Sequence, residues 1–159
     1  MNALKGFWGE IKLRFAMAFL LSWRYKVLSN VTIQFSNGDT TQIDHIVVSR
    51  YGIFVVETKN YRGTITIDEY TGYWTQSFAR SSYQFYSPLK QNDGHISAMR
   101  YLLKTSDYPM INIVSFVGEA EFSENTMPDN VATSILRTIR LISSYKHKLI
   151  KPSEVGCIF

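Results

Sequence analysis

Three stretches rich in β-branched residues, 27–35, 41–49 and 53–59, follow one another with only turn residues between them. That run leaves few folding choices, because consecutive extended segments joined by short turns pair as antiparallel neighbours. The first link, Ser36-Asn37-Gly38-Asp39, carries an Asn-Gly step suited to a tight hairpin. The second, Ser49-Arg50-Tyr51-Gly52, offers a glycine that can take the left-handed conformation a short turn demands. The third stretch begins as the apolar run Ile53-Phe54-Val55-Val56 and then breaks into Glu57-Thr58-Lys59. A strand with that profile starts in a core and ends in polar chemistry.

The flanking sequence predicts helices around this sheet. Residues 7–25 contain no proline and a single glycine, Gly9, and Ile11, Phe15, Ala18 and Phe19 recur at helical spacing as the expected core stripe. Within it, the apolar run 15–21 is shorter than the ~20 residues a bilayer span needs. Glu10 precedes it and no small-residue cleavage pattern follows Ser22, so it reads as a core helix rather than a targeting signal. Residues 64–67 and 73–78 read as short strands, followed by a loop of tyrosines and serines up to Pro88. Pro88 suits the first position of a helix over 89–104, whose stripe is Ile96, Met99, Leu102 and Leu103 and whose weak point is Gly94. A strand buried on both faces is expected over 111–117, and a helix with a basic outer face over 131–148. The order α, a run of β, then α, β, α predicts an α/β sandwich around a mixed sheet.

At 159 residues the chain suits one domain, 1–159, large enough to bury a core unaided. Its 45% hydrophobic and 19% charged residues exclude a disordered or fibrous class. The single cysteine, Cys157, excludes an internal disulfide or a cysteine metal cage and makes the cytoplasm the expected compartment. A net charge of +4 is compatible with a phosphate-bearing partner without requiring one.

Alternation along a strand points Glu57 and Lys59 the same way, about 7 Å apart. A tight turn near 50–52 returns Asp44 to a place across from 57–59, on their face if a bulge at Gly52 sets the parity. Two close carboxylates repel, and a hard cation such as Mg²⁺ relieves them while leaving positions for water and phosphate oxygens. Lys59 would then orient water or offset transition-state charge. Glu-x-Lys alone is a weak signal, since any strand can end in a soluble charged pair; Asp44 brings the structural and functional explanations level. His45 alternates away from Asp44 and is assigned a structural role.

The context is more specific. Gln42-Ile43-Asp44-His45-Ile46-Val47-Val48, then Tyr51-Gly52-Ile53-Phe54-Val55-Val56-Glu57-Thr58-Lys59-Asn60-Tyr61-Arg62-Gly63, resembles the core of the NERD (nuclease-related) domain. The likeness extends up to Gly9-Glu10 and down to Trp74 and Pro88-Leu89-Lys90-Gln91 with His95, covering 7–117. That family is placed in the PD-(D/E)xK nuclease superfamily, so the resemblance implies a restriction-endonuclease-like fold, a mixed β-sheet flanked by helices, and a Mg²⁺- or Mn²⁺-dependent site. It implies Asp44, Glu57 and the Thr58 backbone carbonyl as metal ligands and Lys59 as catalytic lysine. Glu10 would be an accessory acid acting through water, and Gln91 a partner to the phosphate or attacking water. Ser87 replaces the family's usual asparagine, which touches only the helix cap, because serine caps nearly as well.

Tyr61, Arg62, Tyr83, Tyr86 and Lys90 mix rings and cations in a way suited to nucleic acid. Arg137, Arg140, Lys146, Lys148 and Lys151 read as a solvated face. The expected function is a metal-dependent nuclease cutting DNA rather than RNA, with no membrane partner. The alternative is a binding module of the same fold that does not cut.

Overall fold

The structure, a computed structural model, describes residues 2–21, 23–68, 70–104, 107–123 and 127–155, with side chains from residue 7 onward. Helix α1 (Asn2–Leu20) leads into strands β1 (Lys26–Gln34), β2 (Thr40–Ser49) and β3 (Gly52–Lys59). Then come β4 (Gly63–Ile67), β5 (Tyr73–Phe78), β6 (Ser81–Tyr86) and helix α2 (Pro88–Leu103). β7 (Met110–Phe116), β8 (Ala120–Phe122), β9 (Val131–Ala132), α3 (Ile135–Ser144) and α4 (Pro152–Val155) complete the order.

Five strands form one sheet in the order β1-β2-β3-β7-β9, and four form a second in the order β6-β5-β4-β8. Both sheets are mixed. β1, β2 and β3 are antiparallel as the short turns require, whereas β3 and β7 run parallel because the long excursion through β4–β6 and α2 carries the chain back to the starting edge. Residues 52–58 of β3 are all buried, as expected of a central strand covered on both faces. One face packs Ile46, Val48, Ile53 and Val55 against Ile96 and Met99 of α2. The other packs Val47, Phe54 and Val56 against Leu13 and Met17 of α1 and Ile139 and Ile142 of α3. A third cluster, around Trp74 and Phe116, lies under the second sheet. This is the expected α/β class, a mixed sheet flanked by helices.

Several local expectations change. Among the described side chains of α1, Gly9, Leu13 and Met17 are buried, with Leu21 just beyond its end; Phe15 and Phe19 are 68% and 92% exposed and Ala18 faces out. The helix is apolar on nearly every side, so periodicity alone does not fix which stripe docks. It also stops at Leu20 rather than near Tyr25. The tyrosine and serine loop is strand β6, where Ser82, Gln84 and Tyr86 pair with Ser77, Thr75 and Tyr73 of β5. The last helix is shorter than 131–148: Val131 and Ala132 join the sheet, and Ser134 caps α3, its Oγ accepting from the Arg137 N–H at 3.2 Å. Ser87 likewise caps α2, its Oγ accepting from the Lys90 N–H at 3.4 Å. Leu102, expected in the α2 stripe, is exposed, and β7 is fully buried only from Ile113 to Phe116. Among the described residues no helix is long and apolar enough to cross a membrane.

Candidate active site

The site forms where β2 and β3 part. Backbone pairing runs from Ser49↔Gly52 to His45↔Val56 and stops, and one step further Asp44 stands opposite Glu57. No bulge is needed. The turn is only Arg50-Tyr51, so the regular register already gives Asp44 and Glu57 the same parity. Gly52 is required for another reason: at φ +139° its missing Cβ makes room for the side chain of Ile111. Beyond the last pair, the Thr58 N–H has lost its β2 carbonyl and donates instead to Asp44 Oδ2 at 2.7 Å.

Lys59 Nζ donates to Glu57 Oε1 at 2.7 Å and to Gln91 Oε1 at 3.0 Å, tying the strand end to the first turns of α2. One helical turn on from Gln91, His95 places Nε2 3.4 Å from Glu57 Oε2, and its Nδ1 lies 3.0 Å from Thr41 Oγ1. At that separation neither Nε2 nor Oε2 makes a full hydrogen bond, and both atoms are buried. Glu10 arrives from α1, which approaches this end of the sheet closely because residue 9 is glycine. A Cβ there would sit 2.7 Å from Val117 Cγ2 and 3.1 Å from Asn60 Cβ. The structure thus assembles Glu10, Asp44, Glu57, Lys59, Gln91 and His95.

Their electrostatics are unbalanced. Burial, then the charges of Glu57 and Glu10, push the Asp44 carboxyl up to about 7, against the opposing Thr58 hydrogen bond. Glu10 is also raised, by burial first and then by Glu57. Burial alone would raise Glu57 too, but His95 and Lys59 outweigh it and hold that carboxyl below its ordinary value. The cationic partners contact Glu57, and Lys59 offsets Asp44 less than burial and the two neighbouring carboxylates raise it. This arrangement suits a hard divalent cation: two opposed carboxylates, a buried Glu57 oxygen lacking a hydrogen bond, and the Thr58 peptide alongside. Among the described residues no three His, Cys, Asp or Glu side chains form a ready metal cage. A cation held by two carboxylates would complete its shell with water, main-chain and substrate oxygens.

The outer residues divide. Tyr61 is half-buried, its ring edge-on to Phe85 at 4.8 Å and to Phe116 at 6.2 Å, so it packs into the third cluster. Arg62 is exposed, 3.7 Å from Glu119. Lys90 is exposed and lies over Gly72, whose Cβ position it fills. Tyr86 and Tyr73, both about half exposed, form an edge-on pair at 5.8 Å, and Tyr83 is exposed beside Phe78. Arg137, Arg140, Lys146, Lys148 and Lys151 are exposed. His45 is buried, its Nδ1 2.8 Å from Ser29 Oγ, and burial first and then Arg14 lower it to about 4, so it is neutral and structural.

Sequence reasoning missed two residues of consequence. His95 entered only as part of the family likeness with no role assigned, although its spacing of four from Gln91 puts both on one helix face above the same strand end. Asn92 was passed over. It is fully buried, and its Nδ2 reaches Val55 O at 2.7 Å, Asn112 Oδ1 at 2.8 Å and Ile113 O at 3.2 Å, clamping α2 to β3 and β7. The available signal was a polar residue in phase with Ile96 and Met99 on the docking stripe.

Residues 5–117 match the nuclease-related domain. A Bacillus anthracis protein described as uncharacterized is 43% identical over 112 residues, 70% of this chain and 52% of the relative. The chain therefore spans about half the length of that curated relative. No solved structure matches. The matched range contains all six assembled residues and every element from α1 to β7 that brings them together, so the chain belongs to the nuclease-related domain (NERD) family, within the PD-(D/E)xK nucleases.

Proposed function

We propose that this protein is a divalent-metal-dependent nuclease that hydrolyses phosphodiester bonds, in DNA rather than RNA, with Mg²⁺ or Mn²⁺ as cofactor. The observation that carries this reading is Asp44, directly across from Glu57 and pushed up to about 7 by burial and the neighbouring carboxylates, with Lys59 beside them. Asp44 and Glu57 would hold the cation, with the Thr58 carbonyl as a third oxygen and Glu10 contributing through a water. The bound cation would supply charge for the phosphate and lower the pKa of a water. Lys59, held between Glu57 and Gln91, would orient the attacking water or offset charge on the phosphate. Gln91 keeps the ammonium over the strand end. Arg62, Lys90 and Tyr86 are exposed, as phosphate and base contacts require, while Tyr61 would support them from beneath.

The test is incubation with plasmid, linear and single-stranded DNA and with RNA, in Mg²⁺, Mn²⁺ or EDTA. Metal-dependent cleavage is expected to fall by about 10²-fold or more in Lys59→Ala and Glu57→Ala. Cleavage that persists in both variants would remove this site from the reaction. A second reading, a nucleic-acid-binding module that does not cut, draws on the fact that both Glu57 oxygens already face Lys59 and His95. Salt-sensitive binding without cleavage in any metal would favour it.

A further inference from the structure

Helix α1 carries two apolar faces. The inner one, Leu13 and Met17, docks on the sheet. On the opposite side Trp8, Phe15 and Phe19, at spacings of seven and four, form one stripe and are 58%, 68% and 92% exposed. Lys12 lies on this stripe and Arg14 is also exposed, whereas the acidic Glu10 is half-buried at the candidate site. Every exposed charged side chain on the described part of the helix is thus basic. Past the helix, Trp23 is 89% exposed with the Arg24 guanidinium 5.5 Å over its ring. Trp23 and Arg24 line a cavity of about 420 Å³ with Arg50, Tyr51 and Lys148; among the described residues three cations and no acid line it. The Arg50 Nε is buried with no hydrogen-bond partner.

An aromatic stripe on α1, with an exposed tryptophan and a cationic cavity shortly after the helix, calls for a partner that is apolar in depth and anionic at its surface. A second copy of the chain does not meet that demand, since a symmetric contact would set Lys12 and Arg14 near their own kind. We propose that α1 lies in the interface of a membrane bearing anionic lipids. Trp8, Phe15, Phe19 and Trp23 enter the acyl boundary, and the cavity at Arg24, Arg50 and Lys148 receives a phosphate headgroup. This is peripheral attachment along the helix, not a span. It does not rest on the nuclease reading, and it uses the side of α1 that Glu10 does not.

The experiment is co-sedimentation of the full chain with vesicles of phosphatidylcholine alone or mixed equally with phosphatidylglycerol, with tryptophan emission followed in parallel. Binding and a blue shift are expected with the anionic vesicles. Phe15→Ser/Phe19→Ser should weaken binding by about tenfold or more. Lys148→Glu should remove at least about fivefold of the preference for anionic vesicles. Both variants change exposed side chains, so matching circular dichroism and melting confirm that the fold is retained, and cleavage is read separately because Asp44, Glu57 and Lys59 are untouched. No binding to either vesicle, or equal binding by wild type and both variants, overturns the proposal. So does a concentration-dependent dimer in sedimentation velocity that the double variant abolishes, since a second copy would then cover the stripe.

Discussion

Replacing Asp44 by asparagine separates a residue kept for charge from one kept for structure. Asparagine preserves the oxygen that accepts from the Thr58 N–H and removes only the ionisation. In the wild type the folded carboxyl titrates near 7 against an ordinary value of 3.8, so the folded state binds the proton more tightly than the unfolded chain does. For an acid shifted in this direction, stability is full below about pH 4, falls as pH rises, and levels off once the folded pKa is passed. Each pH unit in that window is worth ~1.4 kcal/mol. Between pH 5 and 7 the variant should therefore gain up to about 2 kcal/mol relative to wild type, with less than about 0.5 kcal/mol more by pH 8. Repulsion shared with Glu57 and Glu10 lowers the observed figure, so the direction and the plateau carry the test. The assay is urea unfolding in EDTA at pH 5, 6, 7 and 8, repeated with Mg²⁺. At a Mg²⁺ concentration near 100 times its dissociation constant, wild type should recover about 2.7 kcal/mol and the variant almost nothing. A variant less stable than wild type by the same amount at every pH would refute the reasoning, because Asp44 would then be only a cap for Thr58.

Other substitutions test the parts that hold this site in place. Asn92→Ala removes donors to two buried carbonyls and should cost about 2–3 kcal/mol in urea unfolding; a wild-type midpoint would show that the clamp is not needed. Gly9→Ala places a methyl 2.7 Å from Val117 Cγ2. It should destabilise by about 1–2 kcal/mol despite alanine's better helix propensity, and should weaken the metal dependence of cleavage by moving Glu10; a gain in melting temperature would contradict the close approach. Tyr61→Ala should lower stability by about 2–4 kcal/mol through lost packing on Phe85 and Phe116. Tyr86→Ala should leave melting within about 1 kcal/mol and weaken DNA retention in gel shifts; the reverse pattern would exchange their roles.

What the sequence disclosed and what it hid follow from the same physics. The three-strand meander was legible because turn chemistry and β-branched runs are local, and a mixed sheet followed from the α and β order, but which strand β7 would join was not. The alignment of Asp44 with Glu57 was legible only as a parity problem. Parity depends on whether the turn holds two residues or three, and Gly52 was available to either; its actual use, admitting Ile111 from the neighbouring strand, is a contact no local pattern contains. The docking side of α1 was hidden for a related reason. A helix with Leu13 and Met17 on one side and Trp8, Phe15 and Phe19 on the other has no single hydrophobic direction, so the sheet selects the smaller side chains that Gly9 lets come close. That selection has two consequences at once. It turns Glu10 toward the acids at the end of β3, and it leaves the larger aromatic side chains facing outward, so the helix that completes the candidate site is also the one with an unpartnered surface.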